Sequence, residues 1–218
     1  AVLPEDAQEH LAPLGPWLED EGERVQALLV KALSSARYAR LMKAWAAFLD
    51  REPPARTTLA DAARPVEEVA RERIWKLHTR VVKRGLRIHA DTPAAAVHEL
   101  RLDAKKFRYL IEFFRSLFDE KEIKREIAAL KRLQDVLGRF NDYEVQQHAL
   151  QKDAAAMADA GRVPLESVLV LGRVGESLRL KQAEAREEIE GRVATFADAE
   201  NLARAERLFA PRHEGRNA

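Results

Sequence analysis

Residues Val97 to Phe118 read VHELRLDAKKFRYLIEFFRSLF, and their periodicity decides the fold class. At about 100° per residue, with His98 set at 0°, Leu100, Ala104, Phe107, Ile111, Phe114 and Phe118 fall between about 160° and 240°. Arg101, Lys105 and Arg108 fall within about 80° of His98 on the other side. One face is apolar, and the opposite one reads His, Arg, Lys, Arg in consecutive turns. This is an amphipathic helix whose polar face is almost purely cationic.

Reading outward from that helix, the rest of the chain has the same character. Apolar residues recur at three- and four-residue spacing, and strand signals are nearly absent. Prolines, glycines and short polar clusters mark the breaks. They predict helices over about Pro4–Leu11, from Pro16 to Leu33, Ala36–Leu49, Pro65–Ile88 and Ala94–Phe118. Further ones are expected over Glu120–Leu137, from Asn141 or Asp142 to Gly161, and from Leu165 to Phe209. Gly138 is expected to interrupt, and Gly191 to kink. Trp17, Val25, Leu28 and Leu29 are expected on the inner face of the second helix, and Leu41, Trp45, Phe48 and Leu49 on that of the third. Ser34 and Ser35 supply a helix cap, and Asp91, Thr92 and Pro93 a turn. The segment REPPARTT (residues 51–58) reads as a loop. The tail from Ala210 to Ala218 reads as disordered. Short connections between long helices imply antiparallel bundles, an all-α fold.

The helix before the signature repeats its charge pattern. With Arg73 at 0°, Lys76, Arg80, Lys83, Arg84 and Arg87 all lie within about 80° of it. Like charges one turn apart cost an isolated helix a few tenths of a kcal/mol per pair, and two consecutive helices accept that cost repeatedly. Net charge is only +1, but the charge is unevenly placed. Residues 1–70 carry 8 Lys/Arg and 12 Asp/Glu, residues 71–118 carry 12 and 5, and residues 119–218 carry 17 and 19. Local potential, rather than net charge, decides what a surface attracts. If the two helices are antiparallel neighbours, their stripes line one groove, and His98 to Arg108 spans about 15 Å. That length suits an extended polyanion. The plain alternative is a solvated charged face, with His98 a capping or packing residue.

Several chemistries find no residues here. The 218-residue chain has no cysteine, which excludes disulfides, thiolate metal sites and cysteine nucleophiles. No apolar run reaches the roughly 18 residues of a membrane span. The start, AVLPEDAQEH, lacks a signal-peptide pattern. LGRVG (Leu171–Gly175) is not a phosphate-binding loop, and no HExxH or metal-spaced cluster occurs. Neither a metal site nor a cofactor is expected. With no acid–base pair in view, the protein is not expected to be an enzyme.

The signature stretch resembles that of the CHAD family, histidine-bearing α-helical domains. The shared pattern is His-x-x-Arg-x-x-x-Lys/Arg-x-x-Arg-Tyr, here His98, Arg101, Lys105, Arg108 and Tyr109. LKRLQDVLGRFND (Leu130–Asp142) is similar to the family's Leu-x-x-Leu-Gln-x-x-Leu-Gly-x-x-Asn-Asp element. SSARYARLMKAWAAFL (Ser34–Leu49) resembles the helix that the family places between its repeats. The resemblance implies helical bundles from two repeats around a basic cavity, and non-catalytic binding of inorganic polyphosphate. It also implies a frequent partnership with a triphosphate-hydrolase-type domain, and a cytoplasmic place at polyphosphate granules. Carried over by position, His98, Arg101, Lys105 and Arg108 would line the cavity. Arg80, Lys83, Arg84 and Arg87 match the preceding basic helix. Lys131 matches the following one, with Lys124 two turns earlier on the same face. The signature occurs once here instead of twice. The expected organisation is therefore the remaining helices of an incomplete first repeat (1–58), a second repeat with the histidine signature (59–209) and a tail (210–218).

A module binding RNA or single-stranded DNA, or any polyanion, is the competing expectation. Base-stacking modules interleave aromatics with the basic surface. Phe107, Phe113, Phe114 and Phe118 are read as lying mainly away from it, with Tyr109 alone near it. A phosphohydrolase using His98 would lack carboxylate partners. A purely structural or dimerisation helical domain is the least specific alternative.

Overall fold

The structure is a computed structural model that describes residues 9–52, 59–161 and 163–211. Among these residues every regular element is helical. In chain order they are α1 (Leu14–Leu33), α2 (Ala36–Leu49), α3 (Val66–Gly85), α4 (Ala94–Phe113), a 3-10 turn (Arg115–Leu117), α5 (Glu120–Asp159), α6 (Leu165–Phe196) and α7 (Ala199–Phe209). Most of the expected Pro4–Leu11 helix, of the 51–58 loop and of the C-terminal tail lies outside the described residues. The chain forms two compact units, residues 1–59 with 149–175, and residues 60–148 with 176–218.

The second unit holds the main core. Ile74 of α3, Leu100 and Phe107 of α4, Leu130 and Leu137 of α5, Ile189 of α6 and Phe209 of α7 are all fully buried in one cluster. The buried positions of α3 and α4 follow the three- and four-residue spacing of their sequences. Their cationic positions are thereby turned outward. At the end of α3 the backbone comes close to α6. A Cβ on Gly85 would sit 3.0 Å from Val193 Cγ1, so this contact needs the missing side chain.

Three helix boundaries differ from expectation. Gly138 does not interrupt α5, which runs on from Glu120 to Asp159. An internal glycine costs about 1 kcal/mol, and burial of the neighbouring Leu137 and Phe140 outweighs it. Helix α6 runs through Gly191 and ends at Phe196, short of the expected Phe209. The chain breaks instead at Asp198, whose carboxylate accepts from Asn201 N–H at 2.7 Å and caps α7. The signature helix ends at Phe113, not Phe118. The 3-10 turn then swings Phe118 against Phe209, with ring centroids 5.2 Å apart.

The first unit is built differently. Among its described residues, those buried are Met157, Ser167, Val170 and Leu171, from the adjoining ends of α5 and α6. Gly161, at φ +64°, takes the left-handed conformation that ends α5. Trp17 Nε1 donates to Asp153 Oδ1 at 3.5 Å. Residues 149–175, expected with the segment 59–209, thus group with the N-terminal helices. Ser35 caps α2, its Oγ accepting from Tyr38 N–H. Neither α1 nor α2 has a buried residue. The expected inner faces of Val25, Leu28 and Leu29, and of Leu41, Trp45, Phe48 and Leu49, are therefore exposed. Periodicity marks the face that gains from burial; it does not supply the layer that covers it.

Candidate anion-binding site

Helix α4 carries the site, and α5 orients its histidine. His98 Nδ1 lies 2.9 Å from Asn141 Oδ1. The amide oxygen accepts, so Nδ1 holds the proton, and Nε2 has no hydrogen-bond partner among the described residues. Asn141 is buried, so the imidazole is tied to a fixed part of the core. One layer deeper, Gln134 Nε2 donates to the Ala104 carbonyl at 2.8 Å, holding α5 on α4. Below α4, Arg186 of α6 donates to the Thr92 carbonyl at 2.5 Å and stacks over Phe140 at 4.7 Å. Burial pulls its pKa below the ordinary arginine value, against the opposing pull of Glu144 and Asp91.

The expected cations divide by their pairing. Arg101 and Lys105, half-buried on α4, have no ion pair among the described residues, nor has the exposed Lys131 of α5. Lys83 and Arg87, at the end of α3, are exposed and equally unpaired. Arg108 approaches Glu112 only at 3.8 Å and lies 5.4 Å over the Tyr109 ring. The remaining cations are compensated. Arg73 bonds Asp61 at 2.8 Å, Lys76 bonds Glu72, and Lys124 bonds Glu120 at 2.5 Å. Arg84 reaches Asp103 at 2.7 Å and Glu99 at 3.2 Å, and Arg80 approaches Asp103 at 3.9 Å.

Asp103 explains why the two stripes do not merge into one uniform cationic groove. It is buried on α4, toward α3, and draws Arg80 and Arg84 of α3 onto itself. His98, Arg101, Lys105 and Arg108 occupy the other side of the α4 surface. Between them lie Tyr109, 56% exposed, and Phe113, 79% exposed, one helical turn apart. Phe113, expected away from the basic face, is open to solvent and meets the Phe114 ring edge-on at 4.8 Å.

Three site residues carried no assigned role in the sequence reading. Asn141 and Gln134 belong to the quoted Leu130–Asp142 element, but their partners on α4 are invisible to spacing on a single helix. Asp103 did leave a signal, as an acid placed near the apolar side of a basic helix.

The CHAD domain family model matches residues 1–151 of the chain. The protein belongs to the CHAD family. The matched region contains all of α1 to α4 and most of α5, and hence His98, Asn141 and every cation of α3, α4 and α5 named above, but not Arg186. Helices α6 and α7, which complete the core of the second unit, follow the match. No curated protein matches the chain. No helix among the described residues is long and apolar enough to cross a membrane.

Proposed function

We propose that the protein binds inorganic polyphosphate, without catalysis, across the α4–α5 face. The observation that carries this reading is the clustering of unpaired cations beside a fixed imidazole. Arg101 and Lys105 follow His98 in successive turns of α4, Lys131 stands on α5, and Asn141 holds His98 Nδ1. A chain of phosphates repeats its charge along its length, as this row of cations does. Arg101 offers a fork of donors, Lys105 and Lys131 offer point charges, and His98 Nε2 offers a further polar contact. The neighbour of His98 is an amide rather than a carboxylate, which suits binding rather than proton transfer. Membership of the CHAD family supports the same reading. Association with a triphosphate-hydrolase-type domain, and residence where polyphosphate accumulates in the cytoplasm, follow as parts of it.

A second reading has one observation of its own. Tyr109, with Arg108 over its ring at 5.4 Å, and Phe113 present two exposed rings on the helix that carries the cations, and nucleic-acid bases stack on such rings. Titration calorimetry with long-chain polyphosphate across a salt series, with single-stranded RNA of matched charge as competitor, separates the two. Tight, salt-sensitive binding that RNA does not displace is the expected result. Equal binding of both would reduce the site to a general polyanion surface, and preference for RNA would replace the proposal.

A further inference from the structure

Asp103 is an acid within the cationic surface, and its burial separates it from the exposed acids nearby. Only 6% of its side chain is accessible. Arg84 Nη1 donates to its Oδ2 at 2.7 Å, and Arg80 Nη1 stands 3.9 Å from its Oδ1. All three residues belong to the second unit. An exposed ion pair is worth little, so an incoming anion displaces it readily. A buried carboxylate behaves differently. A phosphate that took Arg84 would strand Asp103 without its counter-charge, which is costly. A phosphate beside Arg80 would meet the repulsion of the same carboxylate. Arg80 and Arg84 are thus withheld from a ligand although both reach the surface, being 58% and 35% accessible.

The consequence lies in the number of cationic rows a ligand can use. One row runs along α4 from His98 to Arg108, and the other would run along α3. The two helices pack on one another, and packed helices lie about 8–10 Å apart. That separation falls between the widths of the two grooves of duplex DNA, about 6 and 12 Å. A single chain of phosphates needs one row, whereas the two strands of a duplex need both. With Arg80 and Arg84 withheld, only Lys83 and Arg87 at the end of α3 stay free. We propose that Asp103 is a specificity-determining residue, which confines the site to a single polyanionic chain and discriminates against double-stranded nucleic acid. The proposal rests on the anion-binding reading above and adds the element that rejects a wider ligand. Specificity is a difference of affinities, and a buried acid among cations lowers the unwanted one.

Titration of the full chain with long-chain polyphosphate and with a short duplex DNA, each across a salt series, tests this. Wild type is expected to prefer polyphosphate. Asp103→Asn should raise duplex affinity about 10-fold, as one regained charged contact would. Its salt slope on the duplex should steepen by about 1–2, for one or two added phosphate contacts. Polyphosphate affinity should rise far less, so the ratio of the two shifts. Asp103→Leu should shift it alike, and guards against a folding defect, since apolar residues often replace buried charges without loss of stability. Adding Arg80→Gln and Arg84→Gln to Asp103→Asn should return the ratio to that of wild type. Glu206→Gln, which removes the same charge from an exposed position on α7, should leave the ratio unchanged. A wild type that binds no polyphosphate would overturn the reading on which the proposal rests. Polyphosphate binding with an unaltered ratio in both Asp103 variants would overturn the proposal alone. So would equal wild-type affinity for the two ligands, a shift that survives loss of Arg80 and Arg84, or an equal shift in Glu206→Gln.

Discussion

His98 Nδ1 and Asn141 Oδ1, 2.9 Å apart, join the signature helix to the following one. The bond fixes both the tautomer and the orientation of the imidazole, leaving Nε2 to meet a ligand. Asn141→Ala should therefore weaken polyphosphate binding about 10-fold, as the loss of one oriented hydrogen bond would. His98→Ala should weaken it by a similar amount. The double variant should be no worse than either single one, because the two residues act as a unit. Calorimetric titration of all three proteins checks this, and additive losses would sever the two roles.

The division between paired and unpaired cations makes a sharper test. Arg101→Gln with Lys105→Gln should lower polyphosphate affinity about 10- to 100-fold in low salt. By analogy with counterion release from nucleic acids, the salt slope should fall by about 0.7–0.9 per lost phosphate contact. Arg73→Gln with Lys76→Gln removes as much formal charge but touches groups already bound by Asp61 and Glu72. That variant should bind within about twofold of wild type. Equal losses in both would mean that total charge, not placement, governs binding.

This contrast shows what the chain made legible. The faces of α3 and α4 could be read because a 3.6-residue period relates neighbours on one helix. Acids on other elements could not be placed in that way. Asp61 stands 12 residues before Arg73, and Asp103 follows Arg84 by 19; only folding brings each to its cation. For the same reason the Gln134 and Asn141 partners stayed hidden. The boundary misses have a local cause. The intrinsic cost of Gly138 favours a break, whereas burial of Leu137 and Phe140 beside it keeps the helix whole. Asp198 is a sound N-cap residue, but the apolar periodicity runs through it without a break and masks the signal.

His78 predicts an acid weakness in the second unit. It is buried against Trp75, Phe107 and Phe196, and neither ring nitrogen has a hydrogen-bond partner. Burial pushes its pKa from 6.5 down to about 4. Between those values the unfolded chain holds a proton on His78 that the folded one does not. Its contribution to stability is therefore full above pH 6.5 and declines by about 3 kcal/mol as the pH falls to 4. His78→Phe removes that decline. The variant's stability relative to wild type should rise by about 3 kcal/mol over the same acid range, measured by urea denaturation at a series of pH values. A constant difference would place the titrating group elsewhere.

Glu126 predicts the opposite slope. It is fully buried on α5, its Oε2 lies 3.4 Å from Arg204 Nε of α7, and its Oε1 is unpartnered. Burial pushes its pKa from 4.5 up to about 7, although Arg204 pulls the other way. Here the folded chain holds the proton that the unfolded one has lost. The contribution to stability is present below pH 4.5 and declines, by about 3 kcal/mol, as the pH rises to 7. Between about pH 4.5 and 6.5 the Glu126 and His78 slopes therefore offset one another. Glu126→Gln should unmask the His78 slope: its stability relative to wild type should increase from pH 4.5 to 7 and then level off. Arg204→Met tests the same carboxyl from its partner. Deprived of its counter-charge, Glu126 should stay protonated to higher pH. The variant should lose about 3–5 kcal/mol where Glu126 is ionised, and distinctly less at pH 5. Equal losses at both pH values would show that Arg204 acts through packing and its bonds to Asn201 and Glu200 rather than through the Glu126 charge.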